Sequence, residues 1–144
     1  MIRRLRKDDI ERVADIWLNT NISAHDFIPA KYWQDNFAAV KEMLLQAEVY
    51  VREEEKDIQG FVGLSDDYIE GIFVYEKAQS KGIGKQLLDY VKGIKRQLSL
   101  RVYQKNIRAI RFYEREHFKI LQEGVDENTG EKEYQMMWSL QNFK

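Results

Sequence analysis

Apolar and polar positions change period several times along the chain. Met1 to Leu5 reads as a short opening strand. Ile10, Val13, Ile16 and Trp17 then recur at helical spacing. Asp8 or Asp9 stands where a short carboxylate can cap that helix. A polar break, NISAHDFIPA, precedes a second helical stretch with Tyr32, Trp33, Phe37, Val40 and Leu44. The period next drops to two, as Val49 and Val51 alternate with Tyr50 and Arg52. Turns at Glu54–Asp57 and Asp66-Asp67 set off Ile58–Leu64 and Tyr68–Val74, which predicts a meander of three antiparallel strands. A stripe of Leu87, Leu88, Val91, Ile94 and Leu98 predicts a further helix. Leu98–Tyr103 alternates as a strand, and Asn106 opens a helix bearing Ile110, Phe112 and Tyr113. Phe118–Gln122 and Tyr134–Leu140 close the chain around a turn at Asp126–Lys132. The predicted order is β-α-α-β-β-β-α-β-α-β-β, an α/β (α+β) class.

The segment from Val74 to Tyr103 is strand, glycine turn, helix, strand. That order makes the strands of Val74 and Leu100 parallel neighbours joined by a right-handed crossover. Ligands bind such sheets at the carboxyl ends of the strands, against the helix N-terminus. The turn reads QSKGIGKQLL, from Gln79 to Leu88. A helix leaves about four N–H groups free in its first turn, with roughly half a positive charge from the dipole. Gly82 and Gly84 remove Cβ atoms where an anion approaches, and Lys81 and Lys85 add charge. A phosphate or pyrophosphate suits that setting. The dinucleotide pattern fails, because Leu87 stands where its third glycine belongs, and the P-loop spacing fails as well. Two glycines at a helix start also occur as plain structure.

Composition narrows the class. One proline and no Gly/Ser-rich linker predict a single domain over 1–144. Lys and Arg number 23 against 24 Asp and Glu, a balance that gives nucleic acid no electrostatic foothold. The absence of cysteine excludes disulfides, thiolate metal sites and a cysteine nucleophile. His25 and His117 lack metal-ligand spacing, so no metal is expected. The start, MIRRLRKDDIERV, has no apolar signal core. No window approaches the roughly 20 apolar residues of a membrane span. A cytoplasmic location is expected, and nothing in the sequence speaks to oligomeric state. The run Glu53 to Asp57 reads as a solvated turn.

Gln79-Ser80-Lys81-Gly82-Ile83-Gly84 is similar to Q/R-x-x-G-x-G/A, the acyl-CoA pyrophosphate loop of the GNAT superfamily of N-acetyltransferases. The element order resembles that superfamily over essentially the whole chain. VYQKNIRAIRFYEREHFKI resembles its second hallmark: strand, Asn, helix with Phe-Tyr, then an aromatic entering the next strand. HDFIPAKYW, IFVYEKAQSKGIGKQLL and VYQKN-x-x-A-I-x-FY look similar to a bacterial subgroup that includes protein-lysine acetyltransferases. The resemblance implies a mixed, mostly antiparallel sheet of about seven strands with about four helices, splayed between the fourth and fifth strands. It also implies acetyl-CoA as co-substrate and an amine acceptor, a protein lysine or a small molecule. A non-catalytic acyl-CoA sensor is the alternative.

Carried over residue by residue, Ile72, Phe73 and Val74 match the segment whose backbone pairs with the pantetheine. Gln79, Ser80, Lys81, Gly82, Ile83, Gly84 and Lys85 match the pyrophosphate loop. Asn106 matches a residue that hydrogen-bonds the cofactor arm, and it also reads as a plain N-cap. Tyr113 matches the tyrosine near the thioester sulfur, where a phenol can protonate the leaving thiolate; it also reads as a core partner of Ile110. An amine of pKa about 10.4 must lose a proton before attack. Glu70 on the fourth strand is one base, and Tyr68 stands where many members carry a glutamate. The two share a face if no bulge intervenes. His25, Phe27 and Trp33 fall in the region that shapes the acceptor entrance, and His25 beside Asp26 reads as a base or as a structural loop residue. Three departures stand out: Glu76 replaces a common proline, His117 replaces a glycine, and the strand-four carboxylate is displaced. His tolerates the left-handed turn that glycine would make.

Overall fold

The computed structural model describes residues 1–140. Within them seven strands and five helices run in the order β1 (Ile2–Arg4), α1 (Ile10–Ala24), α2 (Ala30–Asp35), α3 (Phe37–Gln46), β2 (Glu48–Glu54), β3 (Asp57–Ser65), β4 (Tyr68–Val74), α4 (Ile83–Lys92), β5 (Gln97–Tyr103), α5 (Ile107–Arg115), β6 (Lys119–Val125) and β7 (Lys132–Ser139). One sheet has the order β1-β2-β3-β4-β5-β7-β6. The expected antiparallel meander is β2–β3–β4, turned at Glu55 and Lys56, both left-handed, and at Asp66. Only β4 and β5 run parallel, as the crossover through α4 requires. No helix of the described residues is long and apolar enough to cross a membrane.

Alternation sorts the strands onto two faces. Val49, Val51 and Phe61 pack against Val13, Ile16 and Leu44 of α1 and α3. Val62, Leu64, Ile69, Leu98, Leu100, Met136 and Trp138 pack against Leu87, Leu88 and Val91 of α4 and against Tyr113 of α5. Helix α4 comes very close to β3: a Cβ on Gly60 would lie 2.9 Å from the Phe73 carbonyl oxygen and 3.2–3.3 Å from Ile83 and Leu87.

Several sequence expectations need correction. The single helix expected over Tyr32 to Leu44 is two, α2 and α3, broken at Asn36. The Asn36 side chain donates back to the Tyr32 carbonyl at 2.7 Å, giving the backbone an alternative to continuing. The α4 stripe ends at Val91, because Gly93 stops the helix; Ile94 is exposed and Leu98 belongs to β5. Asp9 does not cap α1. Its carboxylate is taken by Arg3 at 2.8 Å and by the Arg6 N–H at 2.7 Å, and Glu53 joins Arg3 at 3.0 Å. The Arg3 guanidinium holds the Asp9 carboxyl below its ordinary range.

The contact at Gly60 yields a test. Gly60→Ala is expected to destabilise the fold by about 1–3 kcal/mol through overpacking. Urea unfolding measures this, and an unchanged midpoint would show that α4 has room to retreat.

Candidate active site

Strands β4 and β5 touch at one end only. Their single registered pair is Tyr68 with Ser99. That end is clamped by Ser99 N–H to the Asp67 carbonyl (3.0 Å) and by Gln97 to the Asp67 carboxylate (2.8 Å). Beyond it the strands part toward their carboxyl ends, which is the expected splay. The Tyr75 N–H bonds β3 at the Gln59 carbonyl, so alternation turns the backbone of Val74 and Ile72 toward the gap. The Val74 carbonyl does face away from β3: it accepts 3.0 Å from the Gln79 side chain. Phe73 differs. Its ring stacks on Phe61 under α1 and covers Gly71, where a Cβ would overlap it.

A bulge lies in β4: Leu64 pairs with Ile69 and Gly63 with Gly71, which leaves Glu70 unpaired. Tyr68 and Glu70 still share the face opposite Ile69. Burial, then the Glu70 charge, pushes the Tyr68 phenol up, while Arg101 opposes. Glu70 is exposed and accepts 3.0 Å from the Ser65 hydroxyl. Tyr113, on α5, packs edge-on to Phe112 and Phe118. It is 8% exposed, and burial, with Tyr68 as the second cause, pushes its phenol up. Tyr68 therefore acts on Tyr113 electrostatically, while Tyr113 itself belongs to the core packed against α4.

Helix α4 begins at the open end. Gly82 is left-handed at φ +82°, with nothing within 4 Å of the position its Cβ would take. The first intrahelical bond is Gln86 N–H to the Gly82 carbonyl. The N–H groups of Ile83, Gly84 and Lys85 thus lie in the turn that offers no intrahelical acceptor. A Cβ on Gly84 would meet Phe112 (3.7 Å) and Val74 (3.9 Å) at ordinary contact distance, so an alanine fits there. Lys85 is paired with Glu116 at 3.0 Å and Asp89 at 3.3 Å. Arg108, unread in the sequence, reaches Ser80 at 3.4 Å and brings a cation to the loop from the first turn of α5. His117 is left-handed at φ +75°, so the turn before β6 survives the loss of glycine.

Asn106 is the N-cap of α5: its Oδ1 accepts from the Ala109 N–H at 3.2 Å. Its Nδ2 lies 3.1 Å from His25 Nε2. With Oδ1 committed to Ala109, the amide presents its NH₂ to the ring. His25 Nε2 then accepts, and the proton of the neutral ring sits on Nδ1, a buried nitrogen with no hydrogen-bond partner. Burial lowers His25 from its ordinary value, which argues against a strong base there. The ring stacks on Trp33 (5.4 Å) and meets Phe27 and Tyr103 edge-on. Tyr103 donates 2.6 Å to the Asp126 carboxylate. The structure thus brings His25, Phe27 and Trp33 together and adds Tyr103, which the sequence reading missed although it ends the alternating β5.

A mixed sheet opened at one parallel pair, with a glycine turn and a helix N-terminus at its mouth, is the architecture of an acetyltransferase. Residues 46–120 match the family described as acetyltransferase (GNAT) domain. The chain is 34% identical to the peptidyl-lysine N-acetyltransferase YiaC of Escherichia coli (strain K12) over 140 residues, 96% of each protein. It is 28% identical over 120 residues to the peptidyl-lysine N-acetyltransferase YjaB of the same organism, covering 83% of this chain and 82% of that protein. The solution structure of apo YjaB from Escherichia coli superposes with a TM-score of 0.85 at 25% identity over 96% of both chains. The PaiA N-acetyltransferase of Thermoplasma acidophilum, solved with coenzyme A, superposes with a TM-score of 0.83 at 18% identity, over 96% of this chain and 98% of that one. The chain belongs to the GNAT acetyltransferase family.

Two measurements test the local geometry. Gly82→Ala should cost about 1 kcal/mol for a left-handed alanine, whereas Gly84→Ala should leave the melting temperature unchanged or raised; the reverse order would refute the roles given to the two glycines. His25 should titrate below 6.5, with Nδ1 protonated in the neutral ring, by ¹⁵N NMR. Its neutral form is favoured in the fold, so its stabilisation is full above 6.5 and is lost as pH falls through the lower folded value. A midpoint at or above 6.5 contradicts the Asn106 assignment.

Proposed function

We propose that this protein moves the acetyl group of acetyl-CoA to a primary amine by direct attack in a ternary complex, the acceptor being a protein lysine. The observation that carries the reading is the gap between β4 and β5, which opens beyond the Tyr68–Ser99 pair toward the free N–H groups of α4. A thioester placed there supplies an activated acyl carbon. Ile72 and Val74 offer backbone groups along the gap to an extended arm, and Val74 can exchange its Gln79 partner for one on that arm. The turn over Gly82, with Arg108 and Lys81 beside it, fits a pyrophosphate. Asn106 is placed to meet the arm with the amide now given to His25.

The amine nitrogen forms a bond to the acyl carbon, and the carbon–sulfur bond breaks. Backbone N–H on β4 polarises the carbonyl, as charge developing on that oxygen requires. Tyr113 returns a proton to the leaving sulfur. Burial raises its phenol, so the proton is in place at neutral pH. Glu70, on the acceptor side of the sheet, takes the proton from the amine, directly or through a water held by the Tyr68 phenol, which burial keeps protonated. The acceptor class rests on the names of the two relatives above and on the uncovered face of β5 and β7, which suits a side chain offered by a large partner.

Tyr113→Phe should lower kcat about 100-fold or more, the range of a lost general acid, and leave acetyl-CoA affinity within about 2-fold by calorimetry. Equal turnover removes Tyr113 from the chemistry. A CoA-release assay over lysine peptides and small amines ranks the acceptors. Acetyl-CoA binding without turnover on any amine would identify a sensor instead.

A further inference from the structure

The loop between α1 and α2 is fastened to the start of α5 by a polar contact between residues 81 positions apart, Asn106 Nδ2 to His25 Nε2 at 3.1 Å. Three rings hold the imidazole in place: Trp33 stacks on it, and Phe27 and Tyr103 meet it edge-on. The charged groups near the ring stand one residue back. Tyr103 of β5 gives its hydroxyl to Asp126, which sets that carboxylate behind the phenol. Lys105 lies over the Phe27 ring and is paired with Glu131 at 2.9 Å. Tyr32 of α2 meets Trp33 edge-on, and Asp26, next in the chain, is exposed. From α1 the Asn21 carbonyl favours a charged ring, but less than burial opposes one.

Donor and acceptor accounting decides what a proton does here. Asn106 Oδ1 is taken by the Ala109 N–H at 3.2 Å, so only the NH₂ is left for the ring. A neutral ring accepts that donor at Nε2. A protonated ring carries N–H on both nitrogens and brings two donors face to face. Turning the Asn106 amide over does not help. It offers Oδ1 to the ring but sets NH₂ against the Ala109 N–H, and the N-cap is lost. A charged His25 is therefore compatible with the contact to Asn106 or with the cap of α5, never with both. Nor does water reach the ring in place, since Nδ1 is sealed from it.

We propose that His25 is a positioning residue: its neutral ring latches the α1–α2 loop to the N-cap of α5, and protonation releases the loop. The loop carries Phe27 and leads into α2 with Trp33, while α5 carries Tyr113. The latch thus fixes the acceptor entrance relative to the helix of the general acid. That consequence rests on the amine-acetyltransferase reading; the latch itself does not. The acceptor side is closed above the His25 midpoint and loosens in acid.

Amide hydrogen exchange reads the latch without turnover. The N–H groups of His25, Ile28 and Tyr32 are all bonded within the loop region, so their protection reports its opening. With intrinsic rates divided out, exchange over 25–33 should accelerate as pH falls below 6.5, by up to about 10-fold per unit until the lower folded value is reached. Strands β2 and β3 should stay protected. His25→Gln still offers an oxygen to Asn106 and cannot be protonated, so it should lose the acid acceleration; His25→Ala should exchange fast at every pH. In the wild type the Asn106 NH₂ resonances should titrate with the His25 ring, a readout that needs no variant. Equal acceleration in the wild type and His25→Gln overturns the proposal. So does a ring that charges while the loop and the Asn106 NH₂ stay unchanged, or one that stays neutral until the whole protein unfolds. Turnover is assayed separately. The ratio of wild-type to His25→Gln kcat/KM on a lysine peptide, which cancels titration of the amine, should fall in acid; a constant ratio removes the positioning role. No turnover on any amine, with the exchange step intact, removes the acetyltransfer reading and leaves the latch.

Discussion

Everything about this site depends on a parallel pair of strands that is not allowed to close. Beyond Tyr68 and Ser99, β4 and β5 diverge and leave backbone groups facing a gap. An unmet buried hydrogen-bonding group costs about 1–3 kcal/mol. The protein limits that cost locally. Gln79 covers the Val74 carbonyl, and the Tyr68 phenol lies beside the backbone of Arg101 at the closed end. The splay is maintained by its surroundings: Asp67 pins one end and α4 enters at the other, held against β3 because Gly60 has no side chain. A ligand that offers backbone-like groups to Ile72 and Val74 completes the sheet in the place of a missing strand.

How far this was legible in the sequence follows from the range of the interactions. Strand meander, crossover helix and the Asn106 helix rest on periodicity and local capping, which a sequence displays directly. So does the glycine turn before α4. The break at Asn36 was invisible, because apolar spacing runs through it; a single side chain returning to the Tyr32 carbonyl decides it. Asp9 looked like a cap until Arg3, brought alongside by β1, took its carboxylate. The neighbours of Gly84 were equally invisible, since Phe112 reaches it from 28 positions later.

Family membership and the arrangement of the gap account for one half of the molecule; the other half obeys a different economy. The acceptor side holds two buried nitrogens that the fold alone leaves unsatisfied, Nδ1 of His25 and Nε1 of Trp33. Asn106 joins the two halves. Its cap fixes the start of the helix that carries Tyr113, and its amide holds the loop of His25, Phe27 and Trp33 against Tyr103. A cofactor group that took that amide would compete with His25, which would link loading of the gap to the set of the acceptor loop through one hydrogen bond. The linkage needs no long-range pathway, because both sides end on the same side chain.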